Sequence, residues 1–256
     1  MGVLEAILAE KRAEIALLRE RPIPERRAGP PLPHGLARAP GEPLRLIAEI
    51  KRRSPSAGSL STVLAPAARG VSYEAAGASA ISVLTDARFF DGSFDHLHDV
   101  AAAVRVPVLC KDFVLHPAQI ALAASCGASL VLLIVRVLDG GALGELAACA
   151  ISHGLTPLVE VQGHDELDRA LAAGASLVGV NARDLDTLAI DRVRAAQVLD
   201  AVPPGVVAVH LSGIASPGDV RAVPARADAA LLGEALMRQD DPTVLLGALV
   251  SAARQR

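Results

Sequence analysis

The sequence has few aromatic residues, since Phe, Tyr and Trp make up 2% of its 256 residues and Trp is missing altogether. It also lacks an excess of basic residues, because the formal net charge is −3 with both signs interspersed. Nucleic-acid-binding proteins usually carry a basic stripe, often with aromatic side chains on which bases stack. The composition therefore argues against a nucleic-acid partner and favours a small-molecule ligand.

Cysteine and long apolar runs are also scarce. The three cysteines, Cys110, Cys126 and Cys149, are odd in number and have no C-x-x-C spacing, which argues against a disulfide framework or a zinc site and favours a reducing cytoplasm. The longest apolar run, near residues 128–135, is far below the ~18 residues that indicate a membrane span. Charges interrupt residues 1–21, so they lack the apolar region of a signal peptide. We expect no membrane association.

The N-terminal part of the chain differs from the rest. Apolar side chains recur there near helical spacing with charges between them, at Leu4, Ile7, Leu8, Ile15 and Leu18, which predicts an amphipathic helix over residues 2–21. Seven of the 17 prolines lie between this helix and Leu44, which predicts an extended connector. We therefore expect residues 1–45 to form a helix and connector that pack on a regular body of residues 46–256.

Short apolar runs alternate with alanine-rich helical segments through this body. The eight candidate strands are residues 46–50, 79–84, 107–110, 129–135, 157–161, 177–181, 206–211 and 229–232. The candidate helices include residues 72–78, 116–126, 144–153, 164–173, 192–199 and 217–223. Eight alternating units predict an α/β protein, a single (β/α)8 TIM barrel with an N-terminal helical extension. A doubly wound open sheet is the alternative, although no G-x-G-x-x-G follows the first strand.

Polar residues follow the strands at their carboxyl ends, where barrel enzymes build their active sites. They are Glu49, Lys51, Thr85, Asp86, Lys111, Asp112, Glu160, Asn181, Arg183, Ser212, Gly213 and Gly233. Because side chains alternate between the faces of a strand, Glu49 and Lys51 share one face. An isolated pair of this kind is more often a structural ion pair. Two lysines and two glutamates that converge on one barrel mouth instead predict a site for acid–base chemistry.

Glycine follows each of the last two predicted strands, at Gly213 and Gly233. Many barrels bind phosphate there, because glycine lets backbone N–H groups approach an anion and a short helix adds its positive end. A tight turn explains one such glycine equally well. Two of them, with Lys51 nearby, indicate a phosphate site.

All four phenylalanines fall near the second and third strand ends, at Phe89, Phe90, Phe94 and Phe113. They form either an apolar wall for a flat ring or simple loop packing, and the sequence does not separate the two. His96 and His98 lie beside them without a third ligand at metal-binding spacing, so we expect a solvated loop and no metal.

Eight segments in this order resemble one family, indole-3-glycerol phosphate synthase. They are Ala48-Glu49-Ile50-Lys51-Arg52-Arg53-Ser54-Pro55-Ser56, Leu84-Thr85-Asp86, Phe90-Asp91-Gly92-Ser93, Leu109-Cys110-Lys111-Asp112-Phe113, Leu132-Leu133-Ile134-Val135, Val159-Glu160-Val161, Asn181-Ala182-Arg183-Asp184-Leu185 and Gly233-Glu234-Ala235-Leu236-Met237-Arg238. The resemblance implies a carboxy-lyase that closes the indole ring of 1-(2-carboxyphenylamino)-1-deoxyribulose 5-phosphate in tryptophan biosynthesis. It also implies a cytoplasmic enzyme without cofactor or metal, expected to be a monomer with at most weak contacts to other enzymes of the pathway.

The resemblance also implies roles for individual residues. Lys111 would be the general acid of ring closure, and Glu160 and Lys51 would transfer protons during dehydration. Glu49 and Asn181 would orient these groups. The remaining contacts are Ser54 and Arg183 to the anthranilate portion, Ser212 to the substrate, Lys51, Gly213, Gly233 and Glu234 to the phosphate, and Phe90, Phe113 and Leu132 to the aromatic ring.

One position departs from the family pattern. Where the family usually has Glu-Ser-Gly-Ile after the seventh strand, this chain has Leu211-Ser212-Gly213-Ile214, which removes negative charge beside the two lysines. We expect an active but slower enzyme. The alternatives are a paralogue that acts on a modified anthranilate in secondary metabolism, or a catalytically weak barrel that binds phosphorylated ligands. Phosphoribosylanthranilate isomerase is a further competitor, but its Cys/Asp pair is not apparent.

Overall fold

Eight parallel strands close into a barrel in the computed structural model, which describes residues 2–20, 22–25, 29 and 36–255. The barrel strands are β1 (Arg45–Ile50), β4 (Ala80–Leu84), β5 (Val108–Lys111), β6 (Leu130–Ile134), β7 (Thr156–Val161), β8 (Leu177–Asn181), β9 (Val207–Leu211) and β10 (Ala229–Leu232). A small antiparallel hairpin, β2 (Arg53–Ser54) and β3 (Gly58–Ser59), follows the first of them. The predicted (β/α)8 barrel is confirmed.

Helices precede, connect and follow the strands, and most of them cover the outside of the barrel. They are α1 (Val3–Leu18), α2 (Pro66–Ala75), α3 (Ala87–Phe90), α4 (Phe94–Ala103), α5 (Pro117–Ser125), α6 (Gly140–Ser152), α7 (His164–Ala172), α8 (Arg192–Ala201), α9 (Pro217–Ala222), α10 (Glu234–Met237) and α11 (Thr243–Arg254). Within the described residues, no helix combines the length and the apolarity needed to cross a bilayer.

Closure of the barrel is visible in the strand register. Strand β1 pairs in parallel with β10 on one side, where Ile47 is opposite Leu231, and with β4 on the other, where Glu49 is opposite Ser82. A closed sheet leaves no unpaired strand edge. It also brings the carboxyl ends of all eight strands, which are far apart in sequence, to one mouth.

Three helical predictions need correction. The helix predicted at residues 72–78 is α2, which begins earlier because Pro66 suits a first helical turn, and which ends at Ala75. His96 and His98 lie in helix α4 rather than in a solvated loop, and the Ser93 hydroxyl caps that helix by accepting a hydrogen bond from the His96 N–H. Helices α3, α4, α10 and α11 lie outside the predicted helices. The sequence carried a signal for α4, which has a serine at its N-cap and buries Leu97 and Val100 on one face.

The glycines at the predicted helix-to-strand turns have positive φ angles. Gly77, Gly127 and Gly174 follow α2, α5 and α7 with φ values of 97°, 87° and 79°. Only glycine adopts this conformation without steric cost, so these residues end each helix and turn the chain into the next strand. The described part of the proline-rich connector, residues 22–25 and 36–44, contains no helix or strand, and residues 26–28 and 30–35 lie outside the described residues.

The inside of the barrel is filled in layers. Ile47, Leu109, Leu158 and Val209 belong to an apolar cluster in the interior, separate from the core between the sheet and the helices. Two residues further along the same alternate strands, the next layer consists of Glu49, Lys111, Glu160 and Leu211. The interior side chains thus change from apolar to mainly charged within a few ångströms, and the charged groups lie toward the carboxyl end of the barrel, where barrel enzymes have their active sites.

Candidate active site

A cavity of about 370 Å³ opens at the carboxyl end of the barrel. Every site residue predicted from the sequence lines it, namely Glu49, Lys51, Ser54, Phe90, Lys111, Phe113, Leu132, Glu160, Asn181, Arg183, Ser212, Gly213, Gly233 and Glu234. Leu211 lines it as well. The residues come from eight strands and their following loops, so closure of the barrel is what brings them together.

Two buried carboxylates lie beside two half-buried lysines at the base of this cavity. The Lys51 ammonium lies 2.9 Å from Glu49 Oε1, and the Lys111 ammonium lies 4.0 Å from Glu49 Oε2 and 4.0 Å from Glu160 Oε2. Lys111 is thus between the two acids without a tight contact to either. Its ammonium is free to meet a substrate atom that enters the gap.

Asn181 fixes the second carboxylate. Its Nδ2 donates to Glu160 Oε1 at 2.8 Å, and its Oδ1 accepts from the Arg183 backbone N–H at 3.0 Å. The Asn181 amide is therefore held at both its nitrogen and its oxygen. Because it binds Glu160 Oε1, the other carboxylate oxygen, Oε2, faces Lys111. Such a hydrogen-bonded support keeps a catalytic group in one rotamer.

The pKa of Glu49 reflects this surrounding charge. Burial by itself would raise that pKa, but the positive charges of Lys51 and Lys111 outweigh burial and hold it below its ordinary value. Glu49 is therefore a carboxylate at neutral pH. It neutralises the lysines and stays an acceptor, which fits an orienting role better than that of a proton donor.

In the Glu49→Gln variant, the free energy of unfolding is expected to decrease less steeply with falling pH than it does in the wild type. Because the folded-state pKa of Glu49 lies below its ordinary value of 4.5, its carboxylate stabilises the fold above that pH, and this stabilisation is lost as the pH falls through the folded-state pKa. In that window the free energy of unfolding of the wild type should fall by up to about 1.4 kcal/mol per pH unit more steeply than that of the variant. Urea unfolding at a series of acidic pH values measures both slopes, and equal slopes would contradict the expectation.

The Arg183 side chain links the segment after β8 to the segment after β10, the sixth and eighth strands of the barrel. Its Nη2 lies 3.7 Å from Glu234 Oε2, and its Nη1 donates to the Leu188 carbonyl at 3.0 Å. Glu234 also accepts from Arg238 at 2.9 Å. The guanidinium keeps donors directed toward the cavity, where an anionic substrate group can bind.

The phenylalanines divide between the two expected roles. Phe90 and Phe113 line the cavity with ring centroids 6.2 Å apart and a tilt of 34°, and Leu132 lies below them in the interior. Phe94 packs instead into the core outside the sheet, and Phe89 lies under the guanidinium of Arg88. Two of the four therefore form an apolar wall, and two are packing residues.

The glycines after β9 and β10 keep backbone groups accessible. Ser212 and Gly213 have consecutive left-handed φ angles of 71° and 80°, which turn the chain sharply at the cavity. A Cβ atom on Gly233 would lie only 2.6 Å from Glu49 Oε1. Glycine is thus required there so that Glu49 fits, and the N–H groups that follow can approach an anion.

Lys11 of the N-terminal helix is a buried residue that the sequence analysis missed. Its ammonium lies 2.8 Å from Asp112 Oδ1, 3.1 Å from Asp86 Oδ2 and 2.6 Å from Glu14 Oε2. Thr85 donates to Asp112 Oδ2 at 2.7 Å. Three polar residues at the strand ends, Thr85, Asp86 and Asp112, thus anchor α1 rather than join the layer of Glu49, Lys111 and Glu160, although Asp112 also touches the cavity.

Helix α1 forms part of the wall of the cavity as a result. Val3, Leu4 and Ile7 line it from above. The available signal was the apolar stripe of α1, where a lysine occupies position 11 between Ile7 and Ile15. A charged residue on the buried face of a helix requires a buried partner.

A family model described as indole-3-glycerol phosphate synthase matches residues 4–249 of this chain. The chain belongs to the indole-3-glycerol phosphate synthase family. A relative of that name from Mycobacterium avium (strain 104) is 45% identical over 253 residues, which cover 98% of this chain and 93% of the relative. The resemblance predicted from eight short motifs is confirmed.

Two further comparisons place the chain within this family and its fold. "Indole-3-glycerol phosphate synthase 1" of Streptomyces coelicolor is 44% identical over 252 residues, covering 97% of this chain and 92% of the relative. A solved structure of 3-hexulose-6-phosphate synthase has a TM-score of 0.65 at 19% identity, covering 82% of this chain and 99% of that chain. At that identity the second similarity concerns the barrel fold alone.

Proposed function

We propose that this chain is an indole-3-glycerol phosphate synthase, which closes the indole ring of 1-(2-carboxyphenylamino)-1-deoxyribulose 5-phosphate with loss of CO2 and water in tryptophan biosynthesis. The observation that carries the proposal is the position of Lys111. Its ammonium lies 4.0 Å from each of two buried carboxylates and faces a cavity with an aromatic wall. A cation there can protonate an oxygen of a substrate whose ring packs on Phe90 and Phe113.

Ring closure is the first chemical step. The aryl carbon that bears the carboxylate attacks the ketone carbon, and Lys111 donates a proton to the ketone oxygen, which becomes a hydroxyl group. The bond to the carboxylate then breaks, CO2 leaves, and its bonding electrons restore the aromatic ring. Rearomatisation drives this loss, so the proposal needs no metal or organic cofactor.

Dehydration completes the indole. The hydroxyl takes up a proton and leaves as water, and the neighbouring carbon loses a proton as the ring double bond forms. Glu160 and Lys51 serve these transfers, with Asn181 and Glu49 as their supports. The contacts at 2.8 Å and 2.9 Å favour this assignment, since each transferring group has one fixed partner.

The substrate's two anionic ends suit different parts of the cavity. Its phosphate would lie at the amides around Gly213, Gly233 and Glu234 and near Lys51. Ser54, Ser212 and Arg183 would meet the anthranilate portion and the substrate hydroxyls. We also propose a cytoplasmic location, with which the three free cysteines agree. That the protein is a monomer stays a prediction. Weak contact with other enzymes of the pathway stays a prediction.

The proposed function is tested by adding 1-(2-carboxyphenylamino)-1-deoxyribulose 5-phosphate to the purified full chain. Indole fluorescence should appear, with one CO2 released for each indole formed. The absence of indole from folded protein would refute the synthase assignment. Ring-substituted versions of the substrate test the paralogue, which should prefer one of them over the unsubstituted compound.

Leu211 supports a second candidate, the slower or retuned enzyme. It occupies the fourth place in the layer of Glu49, Lys111 and Glu160, with 1% of its surface exposed. Its Cδ1 lies 2.7 Å from where a Cβ of Gly179 would be. The layer therefore has an apolar side chain where its other three members are charged.

Leu211→Glu is expected to raise kcat by roughly tenfold, less than the 10²–10⁴ that a general acid or base contributes. The reason is that a third carboxylate near Lys51 and Lys111 would assist proton transfer and balance their charge. Leu211→Gln is the matched control, because it has the same shape without the charge and should stay near the wild type. An unchanged or lower kcat in the glutamate variant would count against this expectation.

A further inference from the structure

Arg69 of helix α2 is an unusual buried residue because its charge has no paired carboxylate. Its exposure is 0%. Among the described residues, the guanidinium donates to the Leu236 carbonyl at 3.3 Å, to the Gln239 carbonyl at 3.1 Å from both Nη atoms, and to Ser61 Oγ at 3.3 Å. A carboxylate enters only indirectly, since Ser61 Oγ donates to Asp240 Oδ1 at 2.7 Å. Burying a charge in this way is costly and calls for a compensating role.

The acceptors of Arg69 show what it holds. Leu236 is near the carboxyl end of α10, a helix of only four residues, and Gln239 lies two residues past that end. So short a helix is unstable alone, and its last carbonyl groups have no partners within the helix. Arg69 adds a second donor to the Leu236 carbonyl, which also accepts from the Gln239 N–H at 3.1 Å, and it holds the Gln239 carbonyl just beyond the helix. The Ser61 N–H donates to the Met237 carbonyl at 2.9 Å. The position of α10 therefore depends on Arg69 and on the segment that contains Ser61.

The other end of α10 faces the cavity. Gly233, Glu234 and Ala235 line it at the position proposed for the substrate phosphate. Because α10 has only four residues, holding its carboxyl end also fixes where its first residues, Glu234 and Ala235, lie. Ser61 follows the β2–β3 hairpin, and Ser54 at the start of that hairpin also lines the cavity. Arg69 therefore lies outside the cavity and contacts two segments that continue into its lining, α10 and the segment that follows the hairpin.

We propose that Arg69 is a positioning residue for the phosphate group of the substrate. It fixes α10 so that the amides after β10 face the phosphate, and it leaves behind them a positive charge that has no ion-paired carboxylate among the described residues. The proposal rests on the proposed function, because that function places the phosphate at Gly213 and Gly233. Arg69 itself is not among the residues that line the cavity.

Arg69→Met tests this on the full chain with inorganic phosphate as the probe. Calorimetric titration should give a phosphate Kd about tenfold higher than that of the wild type, and the KM for the substrate should rise by a similar factor. The value of kcat should stay within about threefold, because Lys111, Glu160 and Asn181 are unchanged. Arg69→Lys keeps the charge but loses the planar fork, so its phosphate Kd should rise only roughly threefold.

Arg226→Met is the matched control. The Arg226 guanidinium likewise donates to backbone carbonyls, those of Val202, Pro203 and Val206, and it also pairs with Asp228 Oδ2 at 3.1 Å, but it lies at the opposite end of the barrel. Its loss should lower the melting temperature and leave the phosphate Kd and the KM unchanged. The pair of variants therefore separates positioning of the phosphate site from a general loss of stability.

Four outcomes would overturn the proposal. One is a wild-type phosphate Kd and KM in Arg69→Met, and another is an equal loss of phosphate affinity in Arg226→Met. If Arg69→Met does not fold, an Arg69→Lys protein that binds phosphate as tightly as the wild type refutes the role of the guanidinium. Failure of the wild type itself to bind phosphate would refute the proposed phosphate site, and with it the role of Arg69. The first three results leave the proposed function intact.

Discussion

Replacing Lys111 with methionine is expected to lower kcat by about 10²–10⁴, the usual contribution of a general acid. Methionine retains most of the length of the side chain but cannot donate a proton to the ketone oxygen. Folding should be retained, because Glu49 keeps its 2.9 Å contact with Lys51 and Glu160 keeps its hydrogen bond from Asn181. Indole fluorescence at saturating substrate measures the change.

Lys111→Arg provides the control for charge. Arginine stays protonated under all assay conditions, so it keeps the positive charge but exchanges protons poorly. If Lys111 acts as an acid, the arginine variant should be nearly as slow as the methionine variant. If charge alone matters, it should recover most of the activity. A methionine variant within about tenfold of the wild type would remove Lys111 from the role of general acid.

Replacing Lys11 with methionine is expected to destabilise the protein by about 3–5 kcal/mol, the usual cost of removing one partner from a buried ion pair. The variant leaves Asp86 and Asp112 buried without their shared cation. Burial alone would lower the pKa of Lys11, but the two aspartates raise it above its ordinary value. The stabilisation is therefore complete at neutral pH and lost only as the pH rises through this raised pKa.

The same variant should also affect the cavity. Without its anchor, α1 no longer holds Val3, Leu4 and Ile7 against the substrate, so the KM should rise while the Lys111 layer keeps its arrangement. Arg12→Met on the exposed face of the same helix is the control, and its free energy of unfolding should stay within about 0.5 kcal/mol of the wild type. Urea unfolding measures both variants. A loss below about 1 kcal/mol in Lys11→Met would contradict the expectation.

Much of the candidate site was predictable because it follows from local rules. Alternation along a strand placed Glu49 and Lys51 on one face, and the barrel rule placed polar residues such as Lys111, Glu160 and Asn181 at a common mouth. These inferences need only strand positions and the direction of the chain. The two glycines after the last strands were predictable in the same way, since the sequence shows both the glycine and the strand before it.

Other functional contacts depend on pairs that no local pattern connects. Lys11 meets Asp86 and Asp112 across 75 and 101 positions of sequence, and Arg69 meets Leu236 across 167. The start of α2 at Pro66 and the whole of α4 also lie outside the predicted helices, although Pro66 suits a first helical turn and α4 has a serine N-cap and an apolar face.

The sequence by itself determined the number and order of the eight barrel strands, the alternation of side chains between their two faces, and the chemical groups at the strand ends. Side chains repeat with a period of two in a strand and 3.6 in a helix because of backbone geometry, so these features follow from the local sequence. Only the tertiary structure decided which polar residues share the layer of Glu49, Lys111 and Glu160, which of them anchor α1, and which buried cation holds α10. Those outcomes follow from distances between residues that are remote in the chain, and the closure of the barrel sets those distances.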